Sequence, residues 1–190
     1  MRLYMGLVHF PVYNKAYQRI ASAVTTLDLH DLARLARTYG VKRLFIVTPL
    51  EAQKELAQRV LTHWQKGYGA HYNPDRKAAL SLACVVDSLD RATADVKQRE
   101  GVDPVVMGTD AAAQGERPLS FGRARHMIRE NTPVMLVFGT AWGLHIDFIN
   151  SMDHVLPPIT GIDGYNHLSV RTAAAIILDR LVGDLSWAAQ

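Results

Sequence analysis

Apolar positions along this chain fall into short continuous runs separated by stretches with helical spacing. Leu3 to His9 is an apolar run closed by Pro11, with no polar alternate position, which reads as a strand buried on both faces. From Asp28 to Tyr39 the period changes. Leu29, Leu32, Ala33 and Ala36 share one helical face, and Gly40 stands where a left-handed C-terminal cap is needed. Arg43 to Thr48 predicts a second strand ending at Pro49, followed by a helix on which Ala52, Leu56, Val60 and Trp64 recur every fourth residue. Asn73-Pro74 has the form of an N-cap with proline in the first helical position, opening a helix to Leu82. Ala83 to Val86 predicts a strand, Ser88 caps a helix reaching Glu100, and Pro104 to Thr109 predicts the fourth strand. A loop over Asp110 to Gly122 leads to a short basic helix ending at Glu130, a fifth strand at Val134 to Phe138, and a short last strand at Val155-Leu156 before Pro157-Pro158. Ser169 to Leu181 has the Ala, Ile and Leu density of a buried terminal helix. Strands alternating with helices predict an α/β domain, a mostly parallel sheet with helices on both faces. With no repeat, low-complexity tract or interdomain linker, residues 1–190 read as one domain.

Composition narrows the class. At 48% hydrophobic and 21% charged over 190 residues, the chain has the make-up of a globular domain. It has no apolar run of eighteen residues, so no membrane span is expected. The amino end resembles a short signal segment, but His9 and Pro11 follow without a small-residue cleavage pattern, which favours the strand. One cysteine, Cys84, excludes an internal disulfide and a multi-cysteine zinc site, and it fits a reducing compartment, the cytoplasm. The formal charge of +3 is unevenly placed. Residues 1–60 carry nine Lys/Arg against four Asp/Glu, and residues 131–190 carry two against five. A second basic cluster, Arg117, Arg123, Arg125 and Arg129, is offset by Glu116 and Glu130. Such a field permits a nucleic-acid partner, and solvated helix faces would produce it equally.

Several chemistries are absent. There is no GxxxxGK[ST] phosphate loop, and Gly67-Tyr68-Gly69 lacks the third glycine of a dinucleotide fingerprint. No GxSxG elbow occurs, and the eight histidines show no metal-binding spacing, so no metal ligands are expected. Glycine instead gathers after three predicted strands, at Met107 to Asp110, Phe138 to Leu144 and Leu156 to Gly161. Carboxyl-terminal strand ends form the ligand crevice of an open parallel sheet, and glycine admits close backbone approach to a flat ligand. The same glycines would also serve plain tight turns.

The runs LVFGTAWGL at 136–144, LPPITG at 156–161 and YNHLSVRTAAAIILDRL at 165–181 resemble, in that order, the carboxyl half of the SPOUT superfamily of S-adenosylmethionine (SAM) dependent RNA methyltransferases. The resemblance is closest to small proteins related to tRNA guanine-N1 methyltransferase. It implies a carboxyl-terminal trefoil knot that holds SAM, with Thr109, Gly139, Thr140, Gly143, Leu144, Ile159, His167 and Leu168 around the cofactor. In the ribose-methylating branch the first motif reads NxGxxxR with a later glycine. Asp28 to Arg34 followed by Gly40 matches that spacing. The resemblance implies that Arg34 contacts the RNA phosphate or the accepting oxygen. Asp28 and His30 replace the family's Asn and Gly, and either could act as general base. As surface pairs on one helical face, the same charges need no catalytic role. The usual Glu of the second motif is missing from Thr140-Ala141-Trp142, and His167 stands at the usual Asn of the third. Trp142 could cover the cofactor, stack on a base or pack over its loop.

The implied activity is methyl transfer from SAM to tRNA or rRNA, on a base nitrogen or a ribose 2′-OH. The implied partners are RNA rather than DNA and a second copy of the chain, joined through the Ser169 to Leu181 helix with its small Ala173 to Ala175 surface. A non-catalytic SAM- or RNA-binding module of the same fold, and a flavodoxin-like FMN domain, are the alternatives.

Overall fold

The computed structural model describes residues 1–112 and 114–187. The first strand, β1 (Leu3–Val8), is followed by a small antiparallel hairpin, β2 (Val12–Tyr13) and β3 (Arg19–Ile20). Then come α1 (Thr26–Thr38), β4 (Arg43–Val47), α2 (Glu51–Gln65), α3 (Tyr68–Tyr72), α4 (Pro74–Leu80), β5 (Ala83–Val86), α5 (Leu89–Glu100) and β6 (Val105–Gly108). The chain continues through α6 (Phe121–Arg129), β7 (Val134–Gly139), α7 (Ile146–Asn150), β8 (His154–Val155) and α8 (Val170–Trp187). The hairpin, α3 and α7 are additions to the sequence expectation. The predicted helix over 28–39 begins two residues earlier, because Thr25 caps it. The Thr25 hydroxyl oxygen accepts from the Asp28 backbone N–H, and its O–H donates to Asp28 Oδ2 at 2.6 Å. Asp28 is therefore the third residue of the helix, inside its first turn, and its carboxylate accepts from the capping hydroxyl itself.

Six strands form one sheet in the order β5-β4-β1-β7-β6-β8, every neighbouring pair parallel. Both faces are covered, which explains the unbroken apolar runs. Leu3, Met5 and Leu7 of β1 pack with Leu29, Leu32, Leu61, Ile128 and Leu178 on the face carrying α1, α2, α6 and α8. Tyr4 and Val8 face Leu89, Val96 and Ile149, on the side of α5 and α7. Each such Leu or Ile side chain removed from water stabilises the fold by roughly 1.5–3 kcal/mol.

From β1 the chain builds β4 and β5 to one side, and β7, β6 and β8 to the other. The connections therefore diverge beside β1, the place where an open sheet leaves a crevice at its carboxyl edge. On that edge β8 lies between β6 and residues 117–119, two pieces of chain joined through residues 109–116. Leu156 donates to Gly108 O at 2.9 Å on one side. On the other, Val155 donates to Arg117 O at 2.8 Å, and Leu119 donates to Val155 O at 2.9 Å.

Candidate functional site

The three glycine-containing stretches meet at the carboxyl edge of the sheet. Gly139 ends β7 opposite Val8, and an added Cβ there would lie 2.8 Å from Leu144 Cγ and 2.9 Å from Leu144 N. Only glycine lets the 140–144 turn fold back this tightly. Gly143 has φ +96, and a Cβ would sit 2.8 Å from Asp110 Oδ2, so the loops after β6 and β7 touch at this pair. The Asn166 side chain donates to Ala111 O, bringing the loop after β8 onto the same place.

Within this edge, Thr109 and Thr140 are buried and Leu144 is fully so. Thr109 Oγ1 donates to Val137 O at 2.9 Å, and Thr140 Oγ1 lies 3.1 Å from Val8 O, so both hydroxyls hold strand ends together. Leu144 packs into the core beneath the loop. Ile159 is half-buried, whereas His167, Leu168 and Trp142 are exposed. The nominated cofactor residues thus divide into a buried frame and an exposed rim, with Tyr165 set edge-on to His167 at 5.7 Å.

The first-motif residues point in different directions. Both Asp28 oxygens are engaged, Oδ2 by Thr25 and Oδ1 by Arg171 of α8 at 2.7 Å. Arg171 also reaches Asp31 at 3.3 Å through Nε. Arg34 is exposed and pairs only loosely with Asp31, at 3.9 Å. His30 turns toward α2, edge-on to Trp64 at 5.2 Å, and burial together with the nearby Arg76 charge pushes its pKa down, so its ring is held toward the neutral form.

Three groups that sequence reasoning missed stand at this edge. His9 directly follows β1, fully buried, its Nδ1 3.0 Å from Ser22 Oγ, which in turn contacts Thr140 Oγ1. Burial lowers its pKa from the ordinary 6.5 to about 4, against the opposing pull of Asp28. Asp110 is pushed the other way: burial raises its carboxyl, although the Ala112 backbone N–H donates to Oδ1 at 2.7 Å. Arg171 is the third. Its signal was its place inside the 165–181 run, and Asp110 stood within the 107–110 glycine stretch.

Polar satisfaction separates the two ends of the sheet. At the amino edge Glu100 accepts from Arg2, Tyr4 and Lys42. Among the described residues, the buried side-chain atoms without a hydrogen-bond partner are His9 Nε2, His30 Nδ1, Asp110 Oδ2 and Arg125 Nε. The first three lie at the carboxyl edge or on the first-motif helix. Unpartnered buried polar atoms are costly, and they concentrate where a ligand or reacting group completes them. A separate open groove of about 590 Å³ along α2 and β5, lined by Glu51, Lys54, Gln58 and Arg59, contains none of these residues.

Residues 2–183 match the model of a family described as SAM-dependent RNA methyltransferase. The chain belongs to that family. It is 47% identical over 182 residues to a protein of Oleidesulfovibrio alaskensis named tRNA (guanine-N(1)-)-methyltransferase, a match that covers 96% of this chain and 42% of that relative. The chain therefore spans about two fifths of that relative's length. Among solved structures it resembles a probable methyltransferase from Bordetella pertussis, with a TM-score of 0.65 and 17% identity over 97% of this chain and 94% of that one. It also resembles a TrmH/SpoU tRNA modifying enzyme from A. aeolicus, with a TM-score of 0.57 and 15% identity over 99% of this chain and 77% of that one. These likenesses establish the α/β architecture with its parallel six-stranded sheet as the fold found in such methyltransferase structures. No described helix is long and apolar enough to cross a membrane.

Proposed function

We propose that this chain, as one SPOUT-type domain over 1–190, transfers a methyl group from SAM to a nucleotide of tRNA or rRNA in the cytoplasm. The observation that carries the cofactor site is the convergence of the β6, β7 and β8 loops at Asp110, Gly143 and Asn166. β8, threaded between β6 and residues 117–119, supports a trefoil knot as the frame of that site.

The residues suit SAM. Gly139 and Gly143 bring backbone close, Leu144, Ile159 and Leu168 supply apolar wall, and Thr109 and Thr140 tie the loops to the strands. Asp110 offers a buried, unpartnered carboxylate oxygen to a ligand that carries positive charge. His167 and Trp142 form the exposed rim. When bound, SAM supplies an activated methyl on a sulfonium, so the protein's task is orientation and removal of the acceptor's proton.

For that proton, His30, whose Nδ1 has no hydrogen-bond partner, is freer than Asp28. Asp28 is occupied on both oxygens, and its role is to hold Arg171, and with it α8, against α1. His30 is biased toward the neutral, proton-accepting form. Arg34, exposed and weakly paired, is free to contact an RNA phosphate or the accepting oxygen. Leu27, Ile162, Tyr165 and Leu168 are exposed apolar side chains at the start of α1 and beside the cofactor loop. Their exposure supports a two-fold dimer with a shared site. Of the α8 alanines expected at that interface, Ala174 is buried within the protomer, which moves the contact toward this loop and the helix end.

Calorimetric titration with SAM tests the cofactor site. Binding to the wild-type chain, weakened by Gly143→Val, is the expected result. Absence of heat and of a melting shift at saturating SAM would remove it.

A further inference from the structure

Tyr68 and Tyr72 stand out because they are large, aromatic and exposed. They sit one turn apart on α3, 74% and 73% exposed, with ring centroids 6.0 Å apart and planes inclined by only 22°. Their position follows from the packing beneath them. Gly69 lies so close to Trp64 that an added Cβ would be 2.7 Å from the indole ring. With its inner side pressed against α2, this short helix turns both tyrosines outward. Trp64 is gripped in turn by the Arg76 guanidinium, 5.0 Å from the ring centroid, and by the edge-on His30 ring. This cluster links α3 and α4 directly to the first-motif helix.

Immediately after Tyr72 the chain forms one wall of a cleft of about 300 Å³ between α1 and α4. Arg34, Arg37, Thr38, Asn73 and Arg76 line it, and Asp75 is the one acid among its lining residues. Among the described residues, neither Arg37 nor Arg76 has an ion-pair partner. Three guanidinium groups with two neutral polar side chains suit a phosphodiester, and a stacked pair of exposed phenol rings beside them suits an unpaired base.

We propose that α3 and the α1–α4 cleft form an RNA-docking surface: the tyrosines stack on a base of a single-stranded segment, and Arg37 and Arg76 hold the neighbouring phosphates. This surface deepens the RNA methyltransferase reading and rests on it. It leads a strand toward Arg34 and His30, the residues assigned to the acceptor nucleotide. Because every base has a stacking face, the surface selects unpaired RNA rather than a sequence.

The test is fluorescence anisotropy with fluorescein-labelled bulk tRNA, run alongside SAM calorimetry and sedimentation. The double variant Tyr68→Ala/Tyr72→Ala should weaken tRNA binding about ten-fold or more. SAM affinity and oligomeric state should stay at the wild-type level. Tyr68→Phe/Tyr72→Phe should bind as wild type, since stacking needs the ring and not the hydroxyl. Arg37→Glu, on the exposed face of α1, should weaken binding and flatten its salt dependence. Wild-type affinity in the alanine and glutamate variants would overturn the surface while leaving RNA as substrate. A fall in mass with the tyrosine variant would assign the patch to contact between copies of the chain and overturn the proposal. A wild-type protein that neither binds tRNA nor methylates any RNA would instead remove the reading beneath it.

Discussion

Arg171 and Asp28, 143 residues apart in sequence, meet at 2.7 Å and join the first turn of α8 to the first turn of α1. The pair couples the helix that follows the loop proposed to hold SAM to the helix that carries His30 and Arg34. Asp28 is largely buried and Arg171 about one-third exposed, with side-chain exposures of 8% and 32%.

Arg171→Ala should therefore destabilise the chain by about 1–3 kcal/mol, below the cost of breaking a fully buried pair because solvent reaches the guanidinium. Arg34→Ala, whose 3.9 Å contact is exposed, should cost about 0–1 kcal/mol. Urea titration of both variants checks the order. An Arg34 variant less stable than the Arg171 variant would make Arg34 the structural residue of the two.

His9 supplies a pH dependence. Its folded pKa of about 4 lies below the ordinary 6.5, so between those values the unfolded chain binds the extra proton. The associated stability is complete above pH 6.5 and falls by about 3 kcal/mol as pH drops toward 4. His9→Asn, which keeps a polar atom near Ser22, should flatten this slope. An unchanged slope in the variant would place the titrating group elsewhere.

Gly139→Ala places a methyl group against Leu144 backbone and side chain, and should cost about 1–3 kcal/mol and weaken SAM binding together. Gly164, although at φ +74, has nothing within 4 Å of an added Cβ. Gly164→Ala should therefore carry only backbone strain, about 1–2 kcal/mol, and leave SAM affinity unchanged. Differential scanning fluorimetry with and without SAM separates the two. Equal ligand-induced shifts in both variants would argue against the 139–144 turn as cofactor wall.

The long elements were legible because burial on one or two faces writes a period into the sequence. β1, β4 and β7 appear as unbroken apolar runs, and α1 as the Leu29, Leu32, Ala33 and Ala36 face; α2 was found as a helix, but its fully buried residues are Ala57 and Leu61, while Ala52 of the expected face is exposed. The β2–β3 hairpin and the five-residue α7 were not, because two-residue strands and a single helical turn carry no period. The glycine loops could be found because they follow strands and match family runs. What joins them could not. The His9–Ser22–Thr140 contacts and the Arg171–Asp28 pair connect residues brought together by the strand order 4-1-7, and no local pattern encodes that order. The helix start was placed two residues late because the apolar period begins only at Leu29, whereas Thr25 performs the capping.

Transfer of a labelled methyl group from SAM to RNA tests the central claim most directly. RNA from a strain lacking this protein is incubated with the wild-type chain or with Arg34→Ala, and the nucleosides are separated by mass spectrometry. One methylated nucleoside should gain label with the wild-type chain, and should gain at least ten-fold less with Arg34→Ala at unchanged SAM affinity, about 1.4 kcal/mol of transition-state stabilisation. A chain that binds SAM and RNA yet leaves every nucleoside unlabelled would contradict the assignment and leave a binding module in its place.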